Sequence, residues 1–231
     1  MDAPDNNAGL LEMLRRFDGS TLANAIETFN VRLRNEGFAD GSLRAQFTDL
    51  PPVAGYAVTA RIRCSTPPPV GHLYVDRTDW WSYIQSVPGP RVVVVEDVDE
   101  RPGLGAFIGQ VHASILKRLG CVAYATNGAV RDLPAVRQTG LQMFAGCTSI
   151  SHAFVHIVEF GTAVRVGGLP VSPGDIIYGD RNGLLNIPSA IASELPAAAA
   201  RLLEQDRRVV DFCQSRNFSL ETLRTIVRPL G

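Results

Sequence analysis

The segment Arg91-Val92-Val93-Val94-Val95-Glu96 constrains the fold more than any other stretch of this chain. Four consecutive β-branched residues favour a strand over a helix. Apolar side chains at every position, rather than every second one, require cover on both faces of the sheet. Residues 105–120 follow with helical spacing: Ile108, Val111, Ile115, Leu116 and Leu119 form an apolar stripe, and Gly120 suits the position just past a helix end. A second apolar run occupies residues 121–125. Strand, helix and strand in this order make a β-α-β unit with parallel strands and a right-handed crossover. The fold class is α/β, with mixed sheets covered by helices.

The same reading places helices at 10–17, at 21–29 behind Ser20 as N-cap, at 80–87 and at 196–214. Strands are expected at 53–64, 141–145, 155–160, 163–166, 176–178 and 184–187. Gly167-Gly168, Pro173-Gly174 and Arg181-Asn182-Gly183 mark turns between the late strands. Residues 35–52 read as a loop with a short strand, and the prolines within 65–71 as a break. With no internal repeat and no dividing linker, the 231 residues form a single domain whose first eight residues fray.

A net charge of −1 without any Lys/Arg run argues against nucleic acid as a partner. No apolar stretch approaches the roughly 18 residues of a membrane span, and the polar, acidic start lacks the pattern of a signal peptide. A cytoplasmic protein is expected. Cys64, Cys121, Cys147 and Cys213 are widely spaced, without a CxxC pair, and read as buried free thiols.

The second apolar run leads into Thr126-Asn127-Gly128-Ala129-Val130-Arg131-Asp132, followed by Leu133-Pro134. Asp132 has two readings. It is a helix N-cap, with Pro134 in the first turn where its missing N–H costs nothing. Equally, a turn at Asn127-Gly128 would aim Arg131 and Asp132 into one pocket, an anion clamp beside a carboxylate able to hold a metal. The helix entrance near Gly109, Gln110, Val111 and His112 lies at the same sheet edge in a β-α-β unit, and its amides form an anion-binding end. An amide nest and an Arg-Asp pair 22 residues apart would therefore meet. His112 falls on the apolar helix stripe and reads as a core or interface residue, while His152 and His156 share no metal-binding face. Residues 179–183 are a hairpin turn rather than a calcium loop. On the last helix Asp206 falls within a stripe of Leu202, Leu203, Val209, Val210 and Cys213, where a carboxylate needs a partner; Glu204 points away from it.

Several ordered motifs resemble the RraA-like family, which includes 4-hydroxy-4-methyl-2-oxoglutarate aldolases and the regulators of ribonuclease E activity. They are Gly55-Tyr56-Ala57-Val58-Thr59, Gly109 through His112, Gly128-Ala129-Val130-Arg131-Asp132, Gly140-Leu141-Gln142-Met143-Phe144-Ala145, Gly167-Gly168 through Pro173-Gly174-Asp175, Gly179-Asp180 through Gly183, and Ile187-Pro188. The likeness spans residues 10–215. It implies a swivelling α/β/β-type domain in a homotrimer or hexamer. It also implies a metal-dependent carbon–carbon lyase that takes a 2-oxo dicarboxylic acid and releases pyruvate, with oxaloacetate decarboxylation as a side activity. In this resemblance Arg131 binds the pyruvate part, Asp132 holds Mg²⁺ or Mn²⁺, and the amides at Gly109, Gln110, Val111 and His112 receive the keto-acid carboxylate. Asp206 enters from a neighbouring subunit. Gln110 stands where the aldolases usually carry an acid, and it would act with Asp206 on a water. Trp80, Trp81 and His112 are candidates for reshaping the pocket. The other class in the family implies a non-catalytic protein that regulates a ribonuclease or another enzyme.

Overall fold

The computed structural model describes residues 6–68 and 77–227. Its strands are β1 Arg44–Ala45, β2 Val53–Arg63, β3 Arg91–Asp97, β4 Ala106–Ile108, β5 Cys121–Val130, β6 Gln142–Thr148, β7 His156–Phe160, β8 Val164–Val166, β9 Leu169–Val171, β10 Ile176–Asp180 and β11 Gly183–Ile187. Its helices are α1 Asn6–Leu14, α2 Gly19–Glu27, α3 Arg77–Ser86, α4 Gln110–Arg118, α5 Leu133–Thr139, α6 Leu195–Gln214 and α7 Leu220–Val227.

The valine run occupies the middle of the main sheet, whose order is β1-β6-β5-β3-β2-β10-β11. Strands β2, β3, β5 and β6 are mutually parallel neighbours, and antiparallel β1, β10 and β11 extend the two sides. Period-two geometry sends alternate valines to opposite faces. Val93 and Val95 pack with Trp80, Ile84, Ala113 and Leu116 beneath α3 and α4. Val92 and Val94 pack with Leu43, Phe144 and Ile177, and with Val164, Val166, Leu169 and Val171 of the β8–β9 hairpin. That hairpin forms a separate two-stranded sheet, so helices, large sheet and small sheet stack as α/β/β. Its two-residue turn, Gly167-Gly168, has φ of +51° and +74°. A turn with both central residues in the left-handed region matches the twist of the flanking strands, and glycine enters it without a Cβ penalty. A third apolar cluster ties α1, α2 and the first half of α6 to β10 and β11.

Several sequence expectations shift. The second helix is capped by Asp18, whose side chain accepts from the Thr21 N–H, so it starts at Gly19 rather than after Ser20. The first helix starts at Asn6, within the stretch expected to fray; residues 1–5 lie outside the described residues, as do 69–71 of the proline-rich break. The segment 105–120 is not one helix. Ala106–Ile108 pairs as a strand with the end of β5, and α4 begins only at Gln110. The buried face of α4 is consequently Ala113 and Leu116, while Val111, expected in the apolar stripe, is 75% exposed. Asn127-Gly128 is not a turn. Strand β5 runs through it with an irregular register, and the Asn127 amide group keeps the strand attached. Its Oδ1 accepts from the Asp97 N–H at 2.8 Å and its Nδ2 donates to the Asp97 carbonyl at 3.0 Å. Strand β9 was not anticipated. Of the four thiols, Cys64 and Cys121 are buried and Cys147 and Cys213 are exposed.

Phe144 is fully buried between the two sheets. Phe144→Ala is expected to lower the free energy of unfolding by about 3–5 kcal/mol, since it removes a full aromatic volume from a packed interior. Chemical denaturation checks this; an unchanged midpoint would place the core elsewhere.

Candidate active site

Parallel strands in an α/β sheet gather their following loops at one edge, and ligands collect there. Here β4 delivers Gly109 and α4, β5 delivers Arg131 and Asp132, and the segment after β6 delivers His152 to Val155. All of these line one cavity of ≈ 370 Å³, together with Phe107, Gln110, Val111, His112 and Ile115.

Asp132 stands at the N-cap position of α5 but does not cap it. Its backbone is left-handed, φ +57° and ψ +34°, and its side chain makes no capping bond to its own helix. Such a conformation costs a non-glycine residue on the order of 1–3 kcal/mol and persists only where the surroundings impose it. Its consequence is to turn the carboxylate away from α5 and towards α4. There Oδ2 accepts the Gln110 N–H at 3.0 Å, so the negative group sits on the positive end of a neighbouring helix. The Asp132 carbonyl still starts α5, accepting from Ala135 and Val136. The side chain of Asp132 is 45% exposed, which leaves it within reach of a ligand.

Arg131 is fixed from behind: its backbone N–H donates to the Ile108 carbonyl at 3.2 Å. Its Nε lies 3.8 Å from Asp132 Oδ2. A Cβ at Gly109 would fall 2.5 Å from Asp132 Oδ2 and 3.0 Å from Arg131 Nε. The glycine therefore serves a different purpose from the expected one. The space of its missing side chain is taken by the Arg-Asp pair rather than kept open for a ligand carboxylate. The amide of Gln110 is likewise committed to Asp132.

The expected meeting of helix entrance and Arg-Asp pair is thus present. Gly109, Gln110, Val111, His112, Arg131 and Asp132 all border the cavity. His112, expected as a core or interface residue, is partly buried and packs edge-on against Phe107, ring centroids 4.7 Å apart. Asp206 is exposed on the second half of α6 and does not line the cavity of its own chain. Trp80 and Trp81 belong to the interior with Tyr83 and Phe160, away from the cavity. His156 is buried and bonds the Phe154 carbonyl through Nδ1 at 2.9 Å.

Two features escaped the sequence reading. One is the segment 151–155, which brings His152 and Phe154 to the cavity wall. The available signal was topological: β6 is parallel to β5, so the chain leaving it emerges at the same edge. The other is a buried group of Cys64, Asp97 and Asp99, whose ligand-type atoms lie within 4.8 Å of one another. Its carboxylates are occupied by backbone donors: Asp97 accepts from Asp99 and Gly103, and Asp99 from Cys64 and Ser65. Burial, with the two nearby carboxylates, pushes the Cys64 thiol up to about 12, and burial raises the Asp97 carboxyl above its ordinary value. The group ties the ends of β2 and β3 to the loop before β4.

Comparisons with known proteins address the family and the fold. The family model described as "RraA-like: Aldolase/RraA" matches residues 20–185. A Halalkalibacterium halodurans protein, named provisionally as a 4-hydroxy-4-methyl-2-oxoglutarate aldolase, is 31% identical over 84 residues. Those residues are 36% of this chain and 40% of the relative, so the match spans under half of that relative's length. Streptomyces coelicolor RraAS2, titled an unusual member of the RNase ES inhibitor RraA protein family, superposes with a TM-score of 0.68 at 23% identity, covering 90% of this chain and 97% of that one. An uncharacterized protein from Pseudomonas syringae pv. tomato gives 0.73 at 19% identity over 97% and 99%. At these identities the structures establish the shared fold.

Gly109→Ala is expected to displace Asp132 and release the Gln110 amide, so hydrogen exchange at Gln110 should accelerate while the core amides of β3 stay protected. Unchanged exchange at Gln110 would show that the contact does not depend on the glycine.

Proposed function

The chain belongs to the RraA-like family, and from that premise we propose that it is a divalent-metal-dependent carbon–carbon lyase that acts on a 2-oxo acid and releases pyruvate. The observation that carries this reading is the convergence of Arg131, Asp132 and the α4 entrance on one cavity, with the Asp132 carboxylate turned out of its own helix to face it.

The donor set at Asp132 fits Mg²⁺ or Mn²⁺. It offers a hard carboxylate oxygen, half exposed, in a cavity large enough for the waters that such ions retain. The Cys64 group suits such an ion less well, because a thiol is a soft ligand and its carboxylates are engaged by backbone amides. Bound at Asp132, the metal would supply Lewis-acid polarisation of the keto and carboxylate oxygens of the substrate. Arg131 would hold the carboxylate of the pyruvate half and stabilise the negative charge that develops on the enolate oxygen. The Gln110 amide, by fixing Oδ2 of Asp132, would keep that carboxylate aimed at the cavity. No lysine lines the cavity among the described residues, so the chemistry proceeds without a Schiff base. The side chain of Gln110 can orient a water but cannot take its proton. In a trimer or hexamer, Asp206 supplied by a neighbouring copy would serve as the proton acceptor.

The test is pyruvate release from oxaloacetate and from 4-hydroxy-4-methyl-2-oxoglutarate by EDTA-stripped protein, with and without Mg²⁺. Metal-dependent release supports the lyase; its absence with both substrates overturns it. Arg131→Ala is expected to lower kcat/KM at least about 100-fold. Its unfolding temperature should barely move, because the pair with Asp132 is solvent-accessible and contributes little to stability.

A further inference from the structure

A second cavity, of ≈ 510 Å³, lies between the loop after α2, the β8–β9 hairpin and β11, and shares no residue with the candidate active site. Arg32 and Arg165 both line it. The two guanidiniums are held in the same way. Nη1 of Arg32 donates to the Asn186 carbonyl at 2.9 Å, and Nη1 of Arg165 donates to the Gly168 carbonyl at 2.8 Å. Among the described residues neither guanidinium makes a salt bridge, and Nε and Nη2 of each find no acceptor. That edge of an arginine is the one that meets two oxygens of a phosphate or carboxylate side by side.

The fold makes room for Arg32 in particular. A Cβ on Gly37 would fall 1.9 Å from its Nη1 and 2.0 Å from its Cζ, and Gly37 has φ +85°. The guanidinium therefore lies against bare backbone, half-buried at the cavity wall. Burial pulls it below its ordinary value, with the nearby Glu36 carboxylate opposing that shift. Glu36 also lines the cavity and is the one acid to do so among the described residues, so two cations face one anion. A partly desolvated cation with an open donor edge gains from an anionic partner. Beside the cations stand Phe38, 45% exposed, and Pro170, an apolar wall next to a charged one.

We propose that this cavity binds a phosphate monoester that carries a planar apolar group, with the phosphate on the open edges of Arg32 and Arg165 and the planar group on Phe38 and Pro170. A phosphate monoester has about two negative charges near neutral pH and three terminal oxygens. It can answer two guanidinium forks, where a single carboxylate answers one. A planar ring adds an aromatic contact with Phe38. The inference goes beyond the lyase reading and does not depend on it.

Calorimetry of the full chain in its native assembly, titrated with phenyl phosphate, inorganic phosphate, benzoate and phenol, tests the site. Phenyl phosphate should bind saturably, inorganic phosphate more weakly, and benzoate and phenol weaker than phenyl phosphate by about tenfold or more. Arg165→Gln alters an exposed side chain of the hairpin and should leave the unfolding temperature nearly unchanged. It should weaken phenyl phosphate by about tenfold or more, and so should Arg32→Lys, which keeps the charge but not the fork. Phe38→Ala should erase the preference for phenyl phosphate over inorganic phosphate, and Arg131→Ala should leave binding as it was. No saturable binding, equal affinity for benzoate, or indifference to Arg165→Gln would each overturn the proposal. Loss of binding in Arg131→Ala would place the ligand in the other cavity and overturn it too. So would a crystal soaked with phenyl phosphate in which a carboxylate of a second copy occupies the Arg32 edge. Each of these results leaves the lyase reading standing.

Discussion

The hydrogen bond from the Gln110 N–H to Asp132 Oδ2 joins two elements that the sequence separates by 22 residues. It needs three conditions at once. Asp132 must adopt a left-handed backbone, Gly109 must lack a side chain, and β4 and β5 must pair so that both helix starts reach one edge. Each condition has a local cost or constraint, and the shared result is a carboxylate held at a cavity instead of capping its own helix. Strain retained where ordinary capping would relieve it is characteristic of sites that bind or react.

Beneath that contact lies a densely buried frame. The valines of β3 are covered on both faces, the β8–β9 hairpin closes one side, and α3 and α4 close the other. The buried Asp97 adds a second layer of support. It accepts from Asp99 and Gly103 through its side chain, and its own backbone is clasped by the Asn127 amide. Through these bonds the irregular stretch of β5 that precedes Arg131 is anchored to β3. A cation and a carboxylate presented from such a frame need little reorganisation when charge develops on a substrate, which is the condition for electrostatic stabilisation to be effective.

Much of this was legible from residue patterns. Four valines in a row announced a strand buried on both faces, and a parallel β-α-β unit predicted that the Gly109 region and Arg131-Asp132 would share an edge. The pattern Asp132-Leu133-Pro134 correctly marked a helix start, yet side-chain identity could not show that the carboxylate would cap a different helix, because that choice lies in one backbone dihedral pair. Ala106–Ile108 is too short for periodicity to separate strand from helix, so β4 merged into the helix reading and the stripe shifted from Ala113 to Val111. Asn127-Gly128 has turn chemistry, but the Asn127 side chain replaces the ladder bonds that a turn would break, and the strand continues. Asp206 was marked by its place on an apolar stripe; within one chain that stripe is largely solvent-facing, with Leu203 and Val210 exposed. Any role for it depends on a neighbouring copy, which helical periodicity does not encode.

The central claim is that Asp132 and Arg131 together form a metal and keto-acid site, and a crystal grown with Mn²⁺ and oxalate tests it most directly. The account predicts an anomalous peak bonded to the Asp132 carboxylate, with oxalate on that ion and one of its carboxylates against Arg131. A peak instead among Cys64, Asp97 and Asp99, or Asp132 bound to nothing but the Gln110 amide at saturating Mn²⁺, would contradict it.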